Sequence, residues 1–190
     1  MSAPGARYGG RVRVIGGRSR GRKLVAPPPP EVRPTSDRVR ESIFDILGSM
    51  GGVDGLVVAD LFCGTGALGI EALSRGAASV AFVDHSAAAL AAVSTNLAAV
   101  GLADASVQVA RAELPGWLAG APRFDLALCD PPYAFGDWAG LLGLLRADLA
   151  VLESGDPVPD TDTWVVAKSR RYGGTLVTVA RSNPAPPADR

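Results

Sequence analysis

Past residue 55 the chain alternates short apolar runs with segments of helical spacing, and no other feature limits its possible folds so strongly. Runs at 56–62, 79–83, 106–109, 124–129, 163–167 and 175–180 have the length and β-branched content of strands. Segments 67–74, 87–100 (stopped by Gly101), 113–118 and 138–152 repeat their apolar residues as helices do. Strand and helix in alternation make βαβ units, so the expected fold class is α/β with a mostly parallel, doubly wound sheet. Ligands bind such sheets beyond the carboxyl ends of the strands. That rule gathers residues 60–66, Asp84 and residues 130–133 on one rim.

The first part of the chain differs. Residues 1–10 are small, Gly-rich and expected to be disordered. In Arg11-Val12-Arg13-Val14-Ile15 charge alternates with β-branched residues, 16–21 can turn, and 23–26 can return, which predicts a basic β-hairpin. The prolines at 27–30 impose an extended linker. Val39, Ile43, Phe44, Ile46 and Leu47 mark a helix over 36–47, capped by Thr35 or Ser36 and ended by Gly48. The Pro-rich tail from residue 182 is expected to be unstructured. Three parts follow: an arm with a hairpin (1–30), a main domain (31–181) and a tail (182–190).

Net charge is zero, yet its distribution is lopsided. Residues 1–40 carry ten Lys and Arg against Glu31 and Asp37, and the remainder carries nine against seventeen acidic groups. A basic arm on an acidic body suits a polyanion gripped through its phosphates; a solvated tail is the alternative. No run reaches the ~18 apolar residues that span a bilayer. The N-terminus lacks the apolar stretch of a secretory signal, so a cytoplasmic protein is expected. Cys63 and Cys129 are too few for a disulfide framework and read as small buried residues. The single histidine, His85, argues against a His-rich metal site or a Ser-His-Asp triad, and no metal is expected.

Three elements carry chemistry. Asp60-Leu61-Phe62-Cys63-Gly64-Thr65-Gly66 turns a strand sharply into a helix, and its glycines let a ligand approach the backbone. With Gly69 the loop also satisfies GxGxxG, and Asp84 follows 20 residues after Gly64, a spacing shared with dinucleotide-binding dehydrogenases. Asp60 favours a cofactor carrying an ammonium and a sulfonium over a pyrophosphate. Asp84 can accept both hydroxyls of an adenosine ribose or cap the following helix, for which Ser86 is better placed. His85 is expected on the exposed loop without a catalytic role.

The third element is Asp130-Pro131-Pro132-Tyr133, directly after a strand. An exocyclic amine on a base is a poor nucleophile because its lone pair is delocalised into the ring. Asp130 and the Pro131 carbonyl can accept its two hydrogens and aim the lone pair at a methyl group. Pro131 and Pro132 keep the carbonyls out of sheet pairing, and Tyr133 offers a face for an extruded base.

Three blocks in order make a specific resemblance: residues 33–44 (Arg33-Pro34-Thr35-Ser36-Asp37-Arg38-Val39-Arg40-Glu41-Ser42-Ile43-Phe44), residues 60–77, and residues 130–133. Together they resemble the RsmD family of bacterial 16S rRNA guanine-N2 methyltransferases, from about Arg11 to Arg181. The resemblance implies a class I S-adenosylmethionine-dependent methyltransferase domain, Rossmann-like, with a small N-terminal β-hairpin extension. It implies S-adenosylmethionine as cofactor and guanine 966 of 16S rRNA as acceptor, in the small ribosomal subunit or an assembly intermediate. Candidate cofactor-binding residues are Asp60, Phe62, Gly64, Thr65, Gly66, Asp84, His85 and Ala112. Arg11, Arg13, Arg18, Arg20, Arg22, Lys23, Arg33, Arg38 and Arg40 are the candidate RNA contacts, and a monomer is expected.

The chain departs from the family pattern at three places. No acidic residue follows the third strand in Val109-Ala110-Arg111-Ala112-Glu113, where Glu113 is the candidate substitute. None ends the strand in Val165-Val166-Ala167-Lys168, and with Arg170-Arg171-Tyr172-Gly173-Gly174 joining the last two strands, one of seven is expected to be missing or very short. The alternatives are an adenine-N6 methyltransferase on DNA or RNA, a nicotinamide-dependent oxidoreductase, and a non-catalytic RNA-binding assembly factor.

Overall fold

The computed structural model describes residues 12–25, 37–159 and 161–183. Arg11, Arg33, the prolines at 27–30, the caps Thr35 and Ser36 and the segments 1–10 and 184–190 lie outside them. The elements run α1 (Asp37–Gly48), β1 (Val57–Leu61), α2 (Ala67–Ser74), β2 (Ser79–Asp84), α3 (Ala87–Ala99), β3 (Val107–Arg111), a 3-10 turn (Gly116–Gly120), β4 (Phe124–Cys129), α4 (Trp138–Leu144), β5 (Ala147–Ser154), β6 (Trp164–Tyr172) and β7 (Thr175–Ser182).

The strands form one seven-stranded sheet in the order β3-β2-β1-β4-β5-β7-β6. The first five are parallel, whereas β7 runs antiparallel to both β5 and β6. Because side chains alternate along a strand, the sheet has two apolar faces. Val58, Leu126, Leu128, Val151, Val177 and Val179 pack with Ile43, Phe44, Ile70 and Val93 of α1, α2 and α3. Ala59, Ala127, Cys129, Ala150 and Leu152 pack with Trp138 and Leu141 of α4 on the other side. The small residues of that second face let helix and sheet approach closely.

Gly69 shows how tight the first face is. A Cβ there would lie 2.4 Å from the Phe82 ring, so only glycine lets α2 seat on β2. Ser86 caps α3 by accepting the Ala89 N–H at 3.3 Å.

The helix expected over 113–118 is only a 3-10 turn at Gly116–Gly120, and a second predicted helix is wrong over its latter half. The helix expected over 138–152 ends at Leu144, and the chain re-enters the sheet as β5. A strand buried on both faces reads as a continuous apolar run, and Ala147 to Leu152 carries no period of its own that separates it from α4. The strand expected to be missing is therefore present, and the sheet is complete. Arg170, Arg171 and Tyr172, read as a connection, belong to β6, with Gly173 and Gly174 as the hairpin turn. Ser182, assigned to the tail, pairs with Trp164 in β7.

The N-terminal hairpin is smaller than two strands. It holds one bridge, Arg13 to Lys23, flanked by hydrogen bonds Leu24 N–H to Val12 O and Val14 N–H to Arg22 O. It is bolted to the helices by polar contacts. Buried Glu71 accepts the backbone N–H groups of Ile15 and Gly16, each at 2.7 Å, and Ser74 Oγ accepts that of Ser19 at 2.9 Å. Asn96 clamps both backbone groups of Val25 and also donates to Thr65 O in the glycine loop. Gly17 has φ 72° and a Cβ there would meet Ser74 O at 1.9 Å, so the tip can only be glycine.

Candidate active site

The rim forms where β1, β2, β4 and β5 end. Cys129 pairs with Leu61 on one side and Leu152 on the other, so Asp130 emerges between the β1 turn and Glu153. Strand parity sends Asp60, Asp130 and Glu153 toward the α1–α2 face of the sheet.

The glycine loop is held by its own acids. Asp60, 1% exposed, accepts the Gly69 N–H at 2.8 Å, which ties the end of β1 to the first turn of α2. Burial holds its carboxyl well above the usual range; the Gly69 hydrogen bond opposes this, while Asp130 and Asp84 push the same way. Asp84 takes the Gly64 N–H at 2.9 Å and the Ser86 N–H at 2.8 Å, so it fixes the loop and the start of α3 together. Its spare lone pairs remain suited to hydroxyl donors. The His85 ring lies 3.5 Å from Asp84 with its side chain 63% exposed, and His85 O accepts from Arg111 Nε. Ala112 donates its N–H to Asp84 O and is half-buried against the α4-side core, and Glu113 is exposed. Phe62 sits at φ 58°, strained for a bulky residue by about 1–3 kcal/mol, and packs edge-on against Phe135 at 5.1 Å. Phe135 in turn meets Trp138 at 5.2 Å. Thr65 is buried, and Gly66 at φ 76° caps the start of α2.

This clustering of acids suits a cation. Asp84 and Asp130 already raise the proton affinity of Asp60, and a pyrophosphate would add charge of the same sign. An ammonium and a sulfonium would relieve it, so the residues fit S-adenosylmethionine and disfavour a nicotinamide dinucleotide. Burial, with Asp60 beside them, also raises the thiols of Cys63 and Cys129, which keeps both inert.

Beyond Asp130 lies a cleft of about 540 Å³ walled by Pro131, Pro132, Tyr133, Phe135, Glu153 and the β6–β7 turn. The Pro132 carbonyl is taken by the Phe135 N–H, whereas among the described residues no backbone donor takes that of Pro131. Tyr133 is 64% exposed, its hydroxyl 3.4 Å from Thr175 and its ring edge facing Gly155.

Two basic groups of residues meet different fates. Arg13, Arg18, Arg20, Arg22, Lys23 and Arg38 are exposed. Because Gly55 before β1 bonds Gly76 after α2, the far end of α2 lies opposite the rim, and Arg18 at the hairpin tip bonds Ser74 there. Arg40 is a correction: its side chain is fully buried, with Nη2 donating to Asp37 and Arg13 O, so it reaches no phosphate. The signal was in the sequence, since 40, 43, 44 and 47 form one helical stripe with Ile43, Phe44 and Leu47. Sequence reasoning missed Lys168, Arg170 and Arg171, which stand exposed on edge strand β6, with Arg171 donating to Gly155 O at the cleft. It also missed Glu153, hidden in the misread helix. That residue is the acid ending the fifth strand, so the second departure from the family pattern disappears.

The model of the family described as "Conserved hypothetical protein 95" matches residues 12–181. "Ribosomal RNA small subunit methyltransferase D" of Escherichia coli is 38% identical over 148 residues, 77% of this chain and 72% of that protein. "Putative rRNA methyltransferase YlbH" of Bacillus subtilis is 38% identical over 182 residues, 88% of this chain and 97% of its own. Among solved structures, "Putative methyltransferase yhhF from Escherichia coli" superposes with a TM-score of 0.79 at 30% identity, covering 91% of this chain and 98% of that one. The sheet order and these neighbours make the fold that of S-adenosylmethionine-dependent methyltransferases. With its rim, sheet and sequence all in agreement, the chain belongs to the Conserved hypothetical protein 95 family, the RsmD family that its three sequence blocks resemble.

Proposed function

We propose that this protein transfers the methyl group of S-adenosylmethionine to the exocyclic N2 amine of one guanine in 16S rRNA, guanine 966 by its family, within the small ribosomal subunit or an assembly intermediate in the cytoplasm. An rRNA methyltransferase is what its family and relatives support; the acceptor atom is the finer reading. The observation that carries it is Asp130 between two different environments: an acid-lined glycine loop on one side and an aromatic-walled cleft on the other.

When bound, the cofactor supplies an electrophilic methyl on a sulfonium. Asp60 and Asp84 hold its cationic and ribose ends, by charge and by hydrogen bonding. Asp130 and the Pro131 carbonyl accept the two amine hydrogens and turn the lone pair toward the loop. Tyr133 stacks the extruded base, worth ~1–3 kcal/mol. Positioning and electrostatics then account for most of the acceleration of an in-line displacement. Arg13, Arg18, Arg20, Arg22 and Lys23 on the hairpin grip phosphates away from the rim, and Lys168, Arg170 and Arg171 on β6 grip them on the cleft side.

Small subunits lacking the modification, incubated with labelled S-adenosylmethionine, test this. The expected product is N2-methylguanine at one nucleotide. Label in N6-methyladenine would replace the reading with the adenine-N6 alternative, and RNA binding without any label would favour the assembly factor.

A further inference from the structure

The cleft holds a carboxylate for which the proposed chemistry has no use so far. Glu153 is 5% exposed and lines the cleft, yet its Oε1 has no hydrogen-bond partner among the described residues. An unsatisfied buried acceptor is costly, the more so if charged, and its retention calls for a partner that arrives from outside. Arg40 is the obvious internal candidate. Its Nη2 is committed to Asp37 and Arg13 O, and its Nε and Nη1 likewise lack partners, so the two side chains attract through space without a hydrogen bond. The acceptor is thus not consumed inside the fold.

Its position is informative. Cys129 and Leu152 are paired in register on parallel strands, so Asp130 and Glu153 are the next residues on neighbouring strands, about 4.8 Å apart along the ladder. They face the same side and lie close enough for Asp130 to raise the proton affinity of Glu153 after burial itself. A base whose 2-amine is held by Asp130 and Pro131 O brings the adjacent ring nitrogen, N1, to this second acceptor. In guanine N1 carries a hydrogen; in adenine and in 2-aminopurine it carries a lone pair.

We propose that Glu153 is a specificity-determining residue that accepts the N1–H of the target guanine, so that the pair Asp130–Glu153 reads the base edge while Asp130 aims its amine. This rests on the guanine-N2 reading above. An N–H donor at Oε1 satisfies the orphaned acceptor and favours its ionised form, whereas a base offering a lone pair there is repelled by the carboxylate unless Glu153 first binds a proton, so the preference for guanine grows as pH rises. Rejection of the wrong base by an unmatched buried polar group is stronger than rejection by shape alone.

The test compares small-subunit particles reconstituted with 16S rRNA carrying either guanine or 2-aminopurine at the target position. 2-Aminopurine keeps the 2-amine and loses N1–H. Wild-type enzyme is expected to prefer guanine by at least about 100-fold in kcat/KM, as a lost buried hydrogen bond to a charged group predicts. In Glu153→Gln the amide can donate to N1 of 2-aminopurine, so the preference should fall at least about ten-fold. In Glu153→Ala the guanine rate should fall while the 2-aminopurine rate holds. Cofactor affinity, measured by calorimetry, should be unchanged in both. Parallel loss on both substrates, with the preference intact, would show that Glu153 only supports the fold and would overturn the proposal. If wild-type enzyme forms no N2-methylguanine at all, the guanine reading itself fails and the Glu153 assignment goes with it; the two failures are distinct.

Discussion

The two sides of Asp130 are built on opposite principles. On the glycine-loop side every acid has a backbone donor: Gly69 for Asp60, and Gly64 with Ser86 for Asp84. That side is organised before any ligand arrives. On the cleft side the Pro131 carbonyl has no backbone donor among the described residues, Tyr133 stands out into solvent and Glu153 is buried with an unpartnered oxygen. Under the proposed function, a small cofactor meets a finished cradle, while the macromolecular acceptor completes its own half. In that reading the cleft side lacks internal donors of this kind among the described residues, and the base would supply them.

The largest break in this comparison comes from the residue on the boundary. Asp130→Ala should lower kcat by about 100- to 1,000-fold, the size seen when one preorganised charge-stabilising group is lost, while equilibrium dialysis finds cofactor binding largely retained. A fall in cofactor affinity of the same size would place Asp130 with the cradle instead. Asp84→Ala attacks the cradle alone. It removes the acceptor for two backbone donors, so the cofactor Kd should rise about 10- to 100-fold, with kcat at saturating cofactor changed far less. Tyr133→Ala attacks the cleft alone and should reduce kcat/KM for RNA by about ten-fold without altering cofactor affinity. Tyr133→Phe keeps the stacking face and should stay near wild type, since the hydroxyl contact with Thr175 is long at 3.4 Å.

The smallest effect is on stability. Burial raises the Glu153 proton affinity above its ordinary value of 4.5. A carboxyl raised in the folded state binds more protons there than in the unfolded chain, so folding is favoured at low pH and loses stability as pH climbs from about 4.5 through the raised value. Glu153→Gln removes that slope. In the free protein its Tm should therefore exceed wild type near neutral pH by a few degrees, with the gap closing toward pH 4.5. A gap that stays constant with pH would mean that the carboxyl is not penalised for ionising.

Much of this molecule is legible in its residues. The strand–glycine-loop–helix of β1 and α2, the acid ending β2 and the tetrapeptide after β4 stand where local spacing says, because each is a short element whose apolar period and turn residues are self-contained. Where the sequence misled, longer-range packing was in charge. Ala147 to Leu152 is a strand because β4 and β7 bond it on both edges and both faces are covered, a fact no local window contains. Arg40 looked like one more basic residue beside the arm. Its stripe with Ile43, Phe44 and Leu47 turns it inward, where Asp37 and Arg13 O hold it.

The sequence alone thus determined the α/β alternation and the rim that carries Asp130-Pro131-Pro132-Tyr133, since periodicity and backbone restriction act over a few residues. Only the tertiary structure decided which charges face solvent, which strand carries the missing acid and that Glu153 stands beside Asp130. Those depend on register between strands far apart in the chain, and register is set by the packing of the whole sheet.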